Sequence, residues 1–384
     1  HASDLLENLG NPVFVQRIAD LAPTLQWCCR MWQRHPQLYG YFVPLDVQQR
    51  AECRARCTSR YLWRWKKRSY ELAVLMPDMT LRPEIMQQMA FRISVTANLD
   101  EHSCGHVMLR WFPSDCRKEV TGAQDGSTSH SWTPLHVNTA ATYPHSCNTI
   151  TIWRHEESYK TATHEMLHAF GWDFEAARFP RAQADILGRC HMEPRTEIRI
   201  YEAYVETWAT LLNTYIVAAQ EIPPCTPRRL EMVHARIDSL IRAETLFALF
   251  QCAKALHHCG FRTWLDFFRD SDKGEGNSCP RFAQTTSVFS YFIVRATHLF
   301  DLAWFVRTFP HVNFQNNGGI VWETWWSHLL DVWSSPSFAE CIDYCLGLHR
   351  RHEAVMQGGG NVANHDDTTR RAFKTMRMTL HEIA

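Results

Sequence analysis

The chain has 384 residues, 45% of them hydrophobic, with 40 basic and 40 acidic side chains and a formal net charge of zero. That is enough apolar material for a sizeable core, as one large domain or two lobes, and it excludes a disordered chain. The balanced charge excludes a global attraction to nucleic acid or to an acidic membrane.

Residues 1–92 read as several helices. One is rich in Arg and Trp: Arg54, Arg56, Arg60, Trp63, Arg64, Trp65, Lys66, Lys67 and Arg68. Such a run suits an RNA or membrane contact, but a solvated helix with its aromatics turned to the core is the expectation. Alternation over 91–95 and 107–111 predicts strands, and Gly122 to Ser131 is a polar loop. Asn148 to Trp153 alternates polar and apolar residues and predicts another strand. A helix follows, with Ser158 or Thr161 as candidate N-cap and Gly171 as its stop. The next begins near Thr196, with Tyr201, Tyr204, Val205, Trp208, Leu211, Leu212 and Tyr215 as its apolar stripe.

Pro223-Pro224 marks a break. A long helix is predicted over 228–258, with Leu230, Val233, Ile237, Leu240, Ile241 and Leu246 inward. Asp270 to Pro280 is a loop, and helices follow over 284–308, 321–333, 336–355 and 368–383, with Gly358-Gly359-Gly360 as a connector. The apolar stretch Val288 to Phe309 is interrupted by Arg295, His298, Asp301 and Arg307, so it reads as a buried helix and not a membrane span. The 15 Trp and 21 Phe predict aromatic packing, some of it lining a cleft.

The 14 cysteines include no Cys-x-x-Cys, so neither a disulfide scaffold nor a second structural zinc site is expected. Cys53/Cys57 and Cys341/Cys345, four apart on predicted helices, read as packing residues, as does Cys28-Cys29. A soluble protein of a reducing, intracellular compartment is the expectation. The chain opens at His1 without an initiator Met or a signal segment, as a trimmed or processed chain would.

The helix before Gly171 carries His164-Glu165-Met166-Leu167-His168, an HExxH sequence. Histidines four apart stack on one helical face and can reach one ion, while Glu165 lies about 100° round the helix, within reach of an activated water. Downstream, Glu202 and Glu206 share one face of the helix that begins near Thr196. Like charges at that spacing slightly destabilise an isolated helix, so the pair makes sense if it faces a cation.

A strand leading into an HExxH helix resembles the zincin metallopeptidases, where an edge strand beside the site binds substrate in extended form. HExxH followed by Glu-x-x-x-Glu resembles the gluzincin branch, over residues 148–215. The step from His168 to Glu202 is longer than in the thermolysin-like proteins. The resemblance implies Glu202 as third zinc ligand and Glu206 as a carboxylate orienting a ligand histidine, with the swapped roles left open. HExxHxxG also opens the metzincin signature. Phe174 stands where that signature needs a His or Asp, and Asp173 is one residue short, so the metzincin reading is set aside. Gly171 is the left-handed residue ending the helix.

The implied fold is α+β, predominantly helical and zincin-like, with a small mixed sheet beside the HExxH helix and a helical C-terminal lobe. The implied division is 1–195 and 196–384, or one continuous catalytic domain. The implied activity is zinc-dependent hydrolysis of peptide bonds in a peptide or protein substrate. One catalytic Zn²⁺ is held by His164, His168 and Glu202, with Glu165 as general base. The oxyanion donor stays open among Tyr159, His191, Tyr201, Tyr204 and His234. A non-peptide amide as substrate, a structural or virion role, and nucleic-acid binding with a coincidental HExxH are the alternatives. His257-His258 with Cys259, and His349 with His352, lack ligand spacing and read as ordinary histidines.

Overall fold

The computed structural model describes residues 16–20, 57–65, 68–76, 83–99, 106–120, 131–142, 150–223, 226–268, 280–357 and 367–381. These are mainly helical with one mixed sheet, so the α+β expectation holds at that level. The predicted loops at 122–131, 270–280 and 358–360 lie wholly or mostly outside the described residues, as do Cys28, Cys29, Cys53, Arg54, Arg56, Lys66 and Lys67.

The sheet has six strands in the order β1 (Gln16–Asp20), β2 (Cys57–Trp65), β3 (Arg68–Met76), β4 (His106–Trp111), β6 (Ile150–Ile152) and β5 (Ala140–Thr142). β1, β2 and β3 pair antiparallel, β3–β4 and β4–β6 are parallel, and β5 returns antiparallel on β6 at the edge. The parallel strands are covered on both faces, which is why Tyr70 to Val74 and Leu109 to Trp111 are buried without alternation.

Several expectations for the N-terminal part are corrected here. The Arg/Trp run is not a helix: residues 57–65 and 68–76 form the β2–β3 hairpin, and Cys57 sits in a strand. Trp63 is buried, stacked on Tyr70 at 5.2 Å and donating to Ser94 Oγ at 2.8 Å, while Arg64 is exposed. The cross-strand pairs Trp63–Tyr70 and Tyr61–Leu72 outweigh the helical spacing of the basic residues. The strand expected at 91–95 is instead inside α1 (Pro83–Ala97), the crossover between β3 and β4. Met86, Met89, Ala90, Ile93 and Ala97 are buried at helical spacing, a longer pattern than the five-residue alternation.

The strand predicted before the HExxH helix exists as β6, but it is internal, paired on both sides. The edge strand is β5. The Pro134–Val137 turn of helix, α2, immediately precedes it.

α3 (Ser158–Ala169) is buried along its whole length. Neither Ser158 nor Thr161 caps it. Glu157, at φ 58°, is the N-cap, and its carboxylate is used elsewhere. At the other end Gly171 takes φ 66°, with Trp172 N–H donating to Leu167 O and Gly171 N–H to His168 O. This is the Schellman closure that a C-terminal glycine permits.

α4 (Ala182–Arg189) leads to α5 (Ile200–Glu221) and the 30-residue α6 (Arg229–His258). On α6, Val233 and Leu240 are buried as expected, but Leu230 and Leu246 are exposed. Glu244, Gln251 and Lys254 point inward instead. The 284–308 region is a π-helical turn (Phe289–Val294), α7 (Arg295–Phe300) and α8 (Leu302–Thr308), broken at Asp301, whose side chain caps α8. α9 (Trp322–Trp333) and α10 (Pro336–Gln357) follow as predicted. α11 (Asp367–Lys374) is shorter than expected, and residues 375–381 form a non-helical segment that bends at Met378 and Leu380.

One core lies between the sheet, α1 and α3. A larger one gathers Trp264, Phe267, Phe289, Trp325 and Trp333 among the helices. No helix among the described residues is long and apolar enough to cross a membrane. Cys252, Cys341 and Cys345 carry thiols, in keeping with a packing role.

Candidate metal centre

α3 and α5 pack against each other and bring three predicted residues to one point. His168 Nε2 lies 3.1 Å from His164 Nε2 and 3.2 Å from Glu202 Oε2, and His164 Nε2 lies 3.3 Å from the same oxygen. All three side chains are buried, and among the described residues they are the group able to hold a metal ion. A tetrahedral ion with bonds of about 2.0–2.1 Å sets its ligand atoms about 3.3–3.4 Å apart. The measured triangle is therefore one face of such a tetrahedron, slightly contracted.

The far nitrogen of each imidazole faces a carboxylate. His168 Nδ1 bonds Asp173 Oδ2 at 2.7 Å. His164 Nδ1 lies 2.8 Å from Glu206 Oε2, off the direction of a linear N–H···O bond. With a proton on each Nδ1, both Nε2 lone pairs are presented to the shared point, which is how outer carboxylates fix the tautomer of a ligand histidine. Glu202 thus belongs to the group able to hold an ion, and Glu206 faces the far nitrogen of His164. Asp173, one residue short of the metzincin position, stands at the far nitrogen of His168 in the same way. The Gly171 turn folds the chain back so that residue 173 returns to the last turn of α3.

The electrostatics ask for a cation. Glu165, Glu202, Glu206 and Asp173 are all buried, and among the described residues Lys160 is the one Lys or Arg paired directly with any of them, through Glu206. Burial opposes ionisation of Glu202, yet the charge of His168 and hydrogen bonds from both histidines hold its carboxyl well below the usual range. Burial likewise opposes Glu206, but Lys160 and His164 bring it down to about 2. Burial pushes His168 towards neutrality, and Glu202 and Asp173 overcome this, raising it well above an ordinary histidine. His164 is raised too, by Glu202 and Glu206 against the same burial. Protons on these imidazoles occupy the positions a metal would take.

Glu165 is not among the ligating atoms. It lines a cleft with His164, Tyr291 and the Asn138, Thr139 and Ala140 backbone leading into the edge strand. The cleft encloses only about 30 Å³, well below the volume of an ordinary ligand pocket, and opens to solvent at its mouth. Burial raises the carboxyl of Glu165, further than the nearby histidines lower it. Tyr291, from the π-helical turn, donates to Glu202 Oε2 at 3.1 Å, and its phenol is raised well above its usual value by burial and by Glu202.

The five residues considered as oxyanion donors are elsewhere. Tyr159 O–H donates to Ile85 O, and Tyr204 O–H to His311 O in the helical core. His234 is exposed, and His191 N–H pairs with Phe267 O. Tyr201 stands edge-on 6.0 Å from the His168 ring and does not line the cleft. The expected aromatic cleft lining reduces to Tyr291, because Trp111, Trp132, Trp153, Trp172, Trp264 and Trp325 are fully buried. The position of Tyr291 had a faint signal, a lone Tyr within an apolar run that also carries Arg295 and His298.

The other histidine clusters are structural. His257 pairs with Glu353 at 3.1 Å, a carboxylate nearly a hundred positions away in the chain, and its ring stacks on His349. His258 packs on Trp132 at 4.2 Å, and His352 stacks on Phe373. No family profile, curated protein or solved structure matches the chain.

Proposed function

We propose that the protein is a zinc-dependent metallopeptidase of gluzincin-like design. The observation that carries this is the 3.1–3.3 Å triangle of His164, His168 and Glu202, with Glu165 beside it on a cleft that reaches Ala140 at the start of the edge strand β5. Two nitrogens and one carboxylate oxygen in a closed, buried set match the preference of zinc for four-coordinate N/O sites with one position left for water. Zinc bound there would polarise a carbonyl and bring the pKa of water towards ~7.

The chain's own residues supply the rest. Glu165, its carboxyl raised by burial, is suited to take a proton from the attacking water and pass it to the leaving amine. The Tyr291 hydroxyl stands over Glu202, where it can donate to charge developing on the substrate carbonyl. β5, at the edge of the sheet and next to the cleft, is placed to pair with an extended peptide. A buried Glu165 that ligates nothing favours catalysis over a structural role, since stability needs the ligands alone.

Metal analysis of purified protein tests this. One tightly held zinc is expected, lost in His164→Ala and Glu202→Ala and kept in Glu165→Gln. Cleavage of a peptide library by the parent protein should vanish in Glu165→Gln. Absence of zinc would refute the reading, and zinc without Glu165-dependent cleavage would turn it to a non-peptide substrate.

A further inference from the structure

Lys160 lies on the HExxH helix one turn before His164 and is buried to 1% exposure. A lysine so placed needs a reason, because burying an ammonium is costly unless it is paired. Its Nζ is bonded to Glu206 Oε1, while the other oxygen of Glu206 faces His164 Nδ1. The same Nζ lies 3.7 Å from Met378 Sδ. Lys160 therefore stands between the carboxylate beside His164 and the segment that follows α11.

That segment is held as a bound peptide would be. Met376 N–H donates to Lys118 O at 2.7 Å, and Thr375 bridges antiparallel to Glu119. Met378 N–H and Thr379 N–H both donate to Glu157 Oε1 at 2.6 Å, and the other oxygen of Glu157 accepts from Lys118 Nζ at 2.6 Å. Gln251 donates to Thr375 O and Arg377 O, and Lys254 to Thr375 O. Glu244 accepts from Leu380 N–H and His381 N–H. These buried polar groups of α6 have no role in the metal triad, and holding residues 375–381 accounts for them. The outcome is that Met378 becomes part of the cleft wall beside Lys160 and Glu206.

We propose that Lys160, seated against the 375–381 segment, is a positioning residue for the metal centre: it pins Glu206 so that His164 presents Nε2 to the point shared with His168 and Glu202. The inference rests on reading that triad as a metal site. Without Lys160, Glu206 is a buried carboxylate without its counter-ion, free to rotate from His164 or to take a proton, and the imidazole loses its anchor.

The test uses the full-length protein, with zinc affinity measured by chelator competition and the visible spectrum of the cobalt(II)-substituted form. Lys160→Met should weaken zinc about tenfold, the lower end of what loss of an orienting partner costs. It should also alter the cobalt(II) bands and lower kcat with KM kept. Lys160→Arg, which keeps the cation, should restore affinity to within about threefold. If Lys160→Met does not fold, Lys160→Gln takes its place: its amide can still donate to Glu206, and a shift of the same sign is expected. A Lys160→Met or Lys160→Gln protein that melts earlier, yet keeps parent zinc affinity and cobalt(II) bands, would overturn the inference and leave Lys160 a packing residue. Absence of zinc from the parent protein would overturn the metal reading and the inference with it.

Discussion

Replacing Asp173 with alanine asks whether the outer carboxylates govern the centre or merely accompany it. Asp173 Oδ2 accepts from His168 Nδ1 at 2.7 Å, with the Asp 3% and the His 6% exposed, so water does not readily replace the lost acceptor. Leaving a buried donor unsatisfied costs on the order of 1–3 kcal/mol. If that cost appears when zinc must be bound by a misoriented His168, affinity falls by about 10–100-fold, which at ~1.4 kcal/mol per tenfold is the same energy. Asp173→Asn keeps an oxygen acceptor but loses its charge. Since charge-assisted hydrogen bonds are roughly twice as strong as neutral ones, this variant should fall near the middle of that range on a logarithmic scale. Chelator competition measures the affinities, and melting of zinc-loaded and zinc-stripped protein separates affinity from folding. Zinc affinity in Asp173→Ala within about twofold of the parent would refute the reasoning. So would an Asp173→Asn protein weaker than Asp173→Ala.

The metal-free centre titrates in a predictable direction. His164 and His168 are raised, so their stabilisation is full below pH ~6.5 and is lost as pH rises through their folded values. Glu202 and Glu206 are depressed, so theirs is full above pH ~4.3 and is lost as pH falls, towards about 2 for Glu206. Zinc-stripped protein should therefore melt highest between roughly pH 4.5 and 6.5, whereas zinc affinity should climb with pH as imidazole protons are displaced. A zinc-stripped melting temperature that keeps rising above pH 7 would contradict this. Tyr291→Phe should keep zinc while lowering kcat by about 100-fold, the smaller effect of losing one donor to a developing oxyanion; unchanged kcat would remove Tyr291 from the chemistry. Gly171→Ala, at φ 66°, should cost about 1–2 kcal/mol in a denaturant titration, and a neutral result would mean the Schellman turn had been exchanged for another.

Local pattern carried much of the fold. The HExxH helix, its glycine stop, the long helices after residue 196 and the strands at 107–111 and 150–152 all follow from periodicity within one element. The errors come where the partner decides. Phe91 to Val95 alternates, but Ile93 and Ala97 are drawn to the core with Met86 and Met89, and only the longer register shows it. The basic run at 57–65 has a partner strand immediately downstream, and pairing Trp63 with Tyr70 requires the hairpin that helical spacing hides. On α6, Leu246 is exposed while Glu244, Gln251 and Lys254 are buried, because the groups they serve belong to residues 375–381, more than a hundred positions away. Hydropathy has no means of anticipating a buried Glu whose partner is a distant backbone.

At the site, the grouping of His164, His168 and Glu202 was legible, and the sequence also bears on the choice between Glu202 and Glu206. Lys160, His164 and His168 form a stripe four residues apart on α3, and Glu202 and Glu206 form another on α5. The helices pack so that the stripes run in opposite senses. Glu202 lies between the two histidines, and Glu206, a turn further on, lies between His164 and Lys160. Sliding α5 by one turn to make Glu206 the ligand would carry Glu202 beyond His168 and leave Lys160 buried with no counter-ion, at a cost of several kcal/mol. The Lys160–Glu206 pair therefore fits the register that puts Glu202, and not Glu206, between the two histidines. Lys160 is visible in the sequence as a charged residue in line with His164 and His168 at a spacing of four. Asp173 has a comparable signal, an acid two residues past the glycine that ends the helix, where the returning chain can bring it back to the last histidine.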